Sequence, residues 1–194
     1  MRKFLATLGA GAIGLGLVAA PAAAEDAPGI VDTVIAVSGA EGFDDNPNDY
    51  DILRDALVAT GLVGAVAAAE DITVFAPSDR AFIRTAYELG YEGPSDEAAI
   101  FAFLAGALGV TADDPGLLDD VLLYHVSPGS QTRGDIFRAD SVSTLLGADI
   151  PTQGTRFIDA DPDLKNAQIV RHFNIRTGNG IIHTINRVLI PIDA

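Results

Sequence analysis

His125, His172 and His183 are the three histidines of this chain, and imidazole is the side chain whose charge changes nearest neutral pH. With 27 Asp and Glu residues they make up its stock of acids, bases and metal ligands. The histidines are spread over about sixty residues without a paired spacing such as His-x-x-x-His, which argues against a zinc site. His125 shares a helical face with Leu118 and Leu122 beside Val121, so it is expected to be buried with its ring nitrogens hydrogen-bonded in the core. His183 alternates with Ile181 and Ile185, which predicts the same fate on a strand; His172 alternates with Val170 and Asn174 and fits neither pattern. Cysteine is absent, which excludes thiol catalysis, disulfides, cysteine zinc sites and a lipidated N-terminal cysteine. There is no Gly-x-Ser-x-Gly elbow and no Gly-rich phosphate loop. Ser78 reads as a helix cap, and carboxylate pairs such as Asp113 with Asp119 or Asp159 with Asp163 are expected from abundance alone. No catalytic or cofactor-binding residue is therefore expected, and no cofactor.

Calcium is the remaining chemistry. Asp44, Asn46 and Asn48 alternate as in a calcium loop, with Asp55 at the twelfth position. The match is poor: Asp49 stands where an EF-hand has glycine, Pro47 stiffens the loop, and Asp55 is shorter than the usual bidentate Glu. Asp159, Asp161 and Asp163 form a second acidic turn that could chelate with help from backbone carbonyls. The competing reading of both is a solvated turn, and the expected metal set is none beyond these candidates.

The elements that must position these residues divide the chain in two. Ile30 to Val37 is a short apolar segment that opens the fold. Ile52, Leu53, Ala56 and Leu57 predict an amphipathic helix, with Asn48 or Asp49 to cap it and Gly61 to stop it. Ile72 to Phe75 predicts a strand ended by Pro77, then a helix from Ser78 with Phe82, Ala86 and Leu89 inward. Ser95 can cap a helix over 98–108, and Asp114-Pro115 can start the one that carries His125. From Ser127 onward, strands are expected near 141–146, 156–158, 168–175 and 181–190. The last two flank Gly178-Asn179-Gly180, where Asn-Gly suits the positive backbone angles of a tight hairpin. Helices first and strands later predict an α+β domain.

Residues 1–24 have a basic start at Arg2 and Lys3, a short Gly- and Ala-rich apolar run from Phe4 to Ala20, and small residues before Glu25. That pattern predicts a secretory signal peptide cleaved after Ala24, because the run is shorter than the roughly 20 residues of a spanning helix. Residues 25–29 form a polar leader. Cleavage removes two basic residues and no acidic one, leaving 10 basic against 27 acidic side chains and a charge of −17 on 170 residues. Nucleic acid and anionic membranes would repel such a chain, so neither is an expected partner, and no membrane insertion is expected after cleavage. The length suits one domain with a sizeable core.

Three ordered segments point to a family: Thr73-Val74-Phe75-Ala76-Pro77-Ser78-Asp79-Arg80-Ala81-Phe82, then Leu122-Leu123-Tyr124-His125-Val126-Ser127-Pro128-Gly129, then Asn179-Gly180-Ile181-Ile182-His183 leading to Val188-Leu189-Ile190-Pro191. Together they resemble a fasciclin-type domain over residues 30–192. The resemblance implies a wedge-shaped α+β fold, a twisted β-sandwich with helices packed on one side. It implies that the first motif supplies a strand and a helix start, the last the closing hairpin, and that Tyr124-His125 organises the fold. Thr73, Phe75, Ala76, Pro77, Tyr124, His125, Asn179, Gly180, His183 and Pro191 are the fold-organising residues on this reading. Asn186 stands where Asp is usual, so its local network should survive in altered form. The stretch from Thr85 to Asp113 is longer than a minimal member needs, and its Tyr87, Tyr91, Phe101 and Phe103 form either an interface or packing for that segment. Such domains are mostly adhesion and recognition modules without a catalytic centre. The expectation is a monomeric, secreted or periplasmic, non-enzymatic module that binds a surface protein, matrix or polysaccharide. The alternatives are an exported hydrolase of glycans or esters and a calcium-dependent structural module of the envelope.

Overall fold

Alternating side chains on one central strand divide the core into two layers. The computed structural model describes residues 27–39, 42–111, 116–170 and 173–191. Its elements run α1 (Ile30–Ser38), α2 (Asp51–Ala59), α3 (Val63–Ala68), β1 (Ile72–Pro77), α4 (Asp79–Glu88), α5 (Glu97–Ala107), α6 (Leu118–Tyr124) and β2 (Val126–Pro128). They continue with α7 (Arg133–Arg138), β3 (Ser141–Ser143), β4 (Asp149–Gln153), β5 (Arg156–Phe157), β6 (Ile175–Arg176) and β7 (Gly180–Ile185). The expected signal segment 1–24, the Asp114-Pro115 helix start and His172 lie outside the described residues.

The larger sheet has the order β2-β1-β7-β6, with β1 parallel to β7 and antiparallel to β2. Ile72, Val74 and Ala76 of β1 and Ile182 of β7 face the helical layer, where they pack with Ile30, Ile52, Leu57, Ile100 and Leu122. Phe75 and Ile185 point the other way, into a second cluster with Val142, Ile150 and Phe157 of the smaller β3-β4-β5 sheet. Bridges from Arg156 to Gln168 and from Ile169 to Ile185 tie the two sheets together. The architecture is α+β, with helices on one face of the larger sheet and the smaller sheet on the other. Each large apolar side chain so buried contributes about 1.5–3 kcal/mol.

Local signals and outcome agree at the break after α2. Gly61 ends α2 with φ 70°, and Leu62 N–H closes the turn onto the Leu57 carbonyl in a Schellman arrangement. Elsewhere tertiary contacts overrode them. Residues 30–38 form a helix whose first amide is bonded from 149 residues away by Asn179 Oδ1. Asp96, and not Ser95, accepts the Ala99 amide at the start of α5. Ser78 occupies the cap position of α4 without a side-chain cap bond. Neither Asn48 nor Asp49 caps α2; Asp79 Oδ1 and Oδ2 accept from the Ile52 and Asp51 amides at 2.8 and 3.2 Å.

The second half holds more helix and shorter strands than its Gly and Thr content predicts. A capping box between Thr132 and Asp135 starts α7. β4 is central in its sheet despite Pro151, because β5 pairs only with Thr152 and Gln153. The expected strand over 168–175 reduces to bridges at Gln168 and Ile169 and the pair Ile175–Arg176, and β7 stops at Ile185 rather than Ile190. β6 and β7 do form the closing hairpin, but Asn179 is not at positive φ. Its side chain is held instead by three backbone groups described next. Among the described residues no helix is long and apolar enough to cross a membrane.

Candidate functional site

The three sequence motifs meet along β1. Ile72 and Phe75 stand opposite Gly180 and His183 in the parallel β1–β7 register, while Val74 pairs with Val126 just after His125. Thr73 Oγ1 donates to the Gly129 carbonyl at 2.6 Å and accepts from the Gln131 amide at 2.8 Å. Ala76 and Pro77 finish the strand, buried opposite Thr184 and Ile185. Gly180 is required by close approach, because a Cβ there would run into the Ile72 carbonyl oxygen. Asn179 Oδ1 accepts from the Ile30 amide at 2.8 Å, and its Nδ2 donates to the Val66 and Ala69 carbonyls at 2.9 and 2.8 Å. One amide thus fastens α1 and the end of α3 to the hairpin. Pro191, half-buried, follows the buried run Val188 to Ile190.

Both described histidines are buried, and both ring nitrogens of each are bonded to backbone. His125, 2% exposed, donates from Nδ1 to the Val121 carbonyl at 2.7 Å and accepts at Nε2 from the Leu189 amide at 2.9 Å. His183, fully buried, accepts at Nδ1 from the Asn174 amide and donates from Nε2 to the Gln131 carbonyl at 2.8 Å. The partners demand a neutral ring in each, in opposite tautomers. Burial accordingly lowers both pKa values, that of His125 to about 4. Neither ring has a lone pair or proton left for a substrate. Tyr124, buried beside His125, is raised to about 12 by burial and by the Asp159 charge.

The acidic turns behave differently from one another. Both Asp159 oxygens accept from the Ile190 amide, Oδ1 also accepts from the Ala160 amide, and burial pushes the carboxyl up to about 6. Asp161 Oδ1 accepts from the Asp163 and Leu164 amides, so Asp161 is spent on shaping its own turn and Asp159 on fastening that turn to Ile190. In the first turn Asp44 Oδ1 accepts from the Asn46 amide and Asn46 Oδ1 from the Asn48 amide, and Asp55 is turned away onto Arg54 Nε. The structure does not bring Asn48 or Asp55 to a shared point with Asp44.

It gathers a different set, which local sequence did not disclose. Asp49, Asp51, Asp79 and Glu97 are each at most 3% exposed and converge between the loop before α2 and the first turns of α2, α4 and α5. The Asp44 amide donates to Asp51 Oδ2 and Glu97 Oε2, both at 3.1 Å. Arg54 is the cation at hand, and its guanidinium is shared among Asp51, Asp55 and the carbonyls of Ser38, Gly39 and Gly42. Burial, then the Asp49 carboxyl, then the Glu97 charge raise the Asp79 pKa well above the carboxylate range. Glu97 rises to about 7 from burial and the Asp51, Asp49 and Asp44 charges. Asp79 lies inside the first motif, yet nothing in that motif indicates that it faces three other acids.

A basic strip lies on the exposed side of α4. Arg80 and Arg84, one turn apart on α4, are exposed and border an open groove with Asn48, Ser78, Val170, Thr184 and Asn186. Neither arginine forms an ion pair among the described residues, and partial burial with the nearby Arg187 and Arg80 charges holds Arg84 below its ordinary range. Asn186 Oδ1 accepts from the Gln168 amide at 2.9 Å, keeping the acceptor expected there. Tyr91, Phe101 and Phe103 of the long helical segment pack against the helical core, whereas Tyr87 stays exposed with its hydroxyl on the Gly93 carbonyl.

Comparison with known proteins agrees with this geometry. An uncharacterized protein of Synechocystis sp., sll1735, is 27% identical over 141 residues, covering 73% of this chain and 89% of the relative. A second Synechocystis protein, sll1483, is 29% identical over 143 residues, covering 73% of this chain and 67% of that protein. A solved FAS1 domain pair from the insect cell adhesion molecule Fasciclin I superposes with a TM-score of 0.54 at 16% identity, over 84% of this chain and 51% of the pair. The chain thus spans about half the length of that structure, and the likeness concerns the fold. A fasciclin domain family model matches residues 48–191, from the acidic turn before α2 to the end of the third motif, and the chain belongs to the fasciclin domain family.

Proposed function

We propose that this chain is an exported, non-catalytic recognition module that acts as a monomer and binds a protein or polysaccharide at a cell surface or matrix. The observation that carries the reading is the full use of His125 and His183 by backbone groups, which leaves neither ring to serve as an acid, a base or a ligand. The cavity that His125 lines is otherwise apolar and about 30 Å³, too small for a sugar or an ester. Binding therefore falls to the surface. The groove beside Arg80 and Arg84 offers two uncommitted guanidinium groups for carboxylate-bearing ligands on an otherwise acidic molecule. Export rests on the basic, apolar and small-residue order of residues 1–24. The membership of the family, and the cell adhesion named for the insect relative, support a role in attachment.

The test is saturable binding of labelled chain to intact cells and to their isolated surface polysaccharide, with the Arg80→Ala/Arg84→Ala double variant beside it. Binding that the double variant weakens by tenfold or more supports the reading. Turnover of ester or glycoside substrates without such binding would favour an exported hydrolase and sink it. N-terminal sequencing of the protein from the medium or periplasm checks export, with Glu25 expected as the first residue.

A further inference from the structure

Three carboxylates from separate elements meet in the buried acidic group. Asp49 precedes α2, Asp79 opens α4 and Glu97 opens α5, at 1%, 0% and 3% exposure, and one oxygen of each lies within 4.8 Å of the others. Asp51 and Asp44 stand next to them, and one oxygen each of Asp44, Asp51 and Glu97 likewise lie within 4.8 Å of one another. Among the described residues the cation ion-paired to one of these five acids is Arg54, which is committed to Asp51, Asp55 and three carbonyls. Asp49 Oδ2 accepts from Asn46 Nδ2 at 2.8 Å, but among the described residues no donor reaches its buried Oδ1, and its carboxyl lies against that of Asp79. A buried carboxylate oxygen that no donor reaches, set among other carboxylates, calls for a proton or a cation to join it.

We propose that Asp49, Asp79 and Glu97 hold a single divalent cation, calcium, with the unpartnered Asp49 Oδ1 as one ligand. The donors are all hard oxygens, which suits calcium or magnesium and not the softer transition metals. Calcium accepts six to eight oxygens in flexible geometry, whereas magnesium keeps several waters that so closed a site would have to strip. The ion joins the loop before α2 to the N-termini of α4 and α5. It is distinct from the loop that Asp44, Asn46, Asn48 and Asp55 would form, and from the turn at Asp159, Asp161 and Asp163.

Calorimetric titration of calcium chloride into the purified, EDTA-treated full chain at neutral pH should show one ion per chain, and saturating calcium should raise Tm by several degrees. Asp49→Asn, neutral and of the same size, should weaken calcium binding at least tenfold, as should Glu97→Gln. Asp163→Asn should leave it unchanged. Absence of one-to-one binding by the unaltered chain overturns the proposal without recourse to any variant. So does binding that survives both Asp49→Asn and Glu97→Gln, which would put the ion elsewhere. Equal affinity for magnesium overturns the assignment to calcium. A Tm that rises on acidification without any calcium binding would show that a shared proton fills the gap beside Asp49, and also overturns it.

Discussion

His125 and Asn179 carry the clearest consequences at the scale of single residues. The folded state holds His125 at about 4, below its ordinary 6.5, so the unfolded chain binds the extra proton between those values. The stability contributed by a neutral His125 is therefore present above pH 6.5 and is lost as pH falls toward 4. At 1.4 kcal/mol per pKa unit the loss at pH 5 is about 2 kcal/mol. Denaturant unfolding of the native chain and of His125→Gln at pH 8 and pH 5 should show the difference between the two shrinking by about that amount at pH 5. Asn179→Ala removes one acceptor and two donors from buried or half-buried backbone groups of α1 and α3, and should cost about 3 kcal/mol. Asn179→Asp should be no better, since its charge would face the Val66 and Ala69 carbonyls; both are read from urea midpoints. The burial of His125 was legible from its spacing with Leu118 and Leu122. The role of Asn179 was not, because its partners lie about 110 to 150 residues away and a local reading of Asn-Gly finds a turn first.

At the scale of elements, β1 is the joint between the two cores. Phe75 sits against Phe157 with ring centroids 4.6 Å apart, the aromatic contact that couples the larger sheet to the smaller. Phe157→Ala should cost about 3–5 kcal/mol in denaturant unfolding, as expected for an aromatic side chain removed from a closed core. Gly180→Ala tests the parallel pairing itself. With the Ile72 carbonyl in the way of any Cβ, β7 must move off β1, and a loss of about 3 kcal/mol or more is expected, with faster amide exchange along 180–185. The strand 72–77 and the helices around 51–59 and 97–107 were legible because their apolar periods and flanking Gly and Pro residues are local signals. The helical state of 30–38 and the strand β4 were not legible: the first segment shows only a short apolar run, whose first amide is held by Asn179 from 149 residues away, and Pro151 disguises β4.

On the scale of the whole molecule, a net charge of −15 meets few internal counter-charges, and Lys165–Glu88 is the exposed pair among the described ion pairs. Self-repulsion should dominate the response to simple salt. Raising NaCl from about 0.01 M to about 0.15 M shortens the Debye length from about 30 Å to about 8 Å and should raise Tm in the presence of EDTA. A fall in Tm would mean that surface pairs outweigh repulsion. Because EDTA removes divalent ions, this response is separate from any effect of calcium on the buried acidic group.

The sequence by itself determined the burial of two histidines through periods within about ten residues, and the α+β class and the family through the order of elements and of three motifs along the chain. It also showed an excess of acids, but not which of them are buried together. Only the tertiary structure decided that Asp49, Asp79 and Glu97 share one pocket of charge while Asp55 and Asp159 are committed elsewhere. The reason is geometric: the starts of α2, α4 and α5 converge only when their apolar faces settle on one sheet, and no single element records where its neighbours begin.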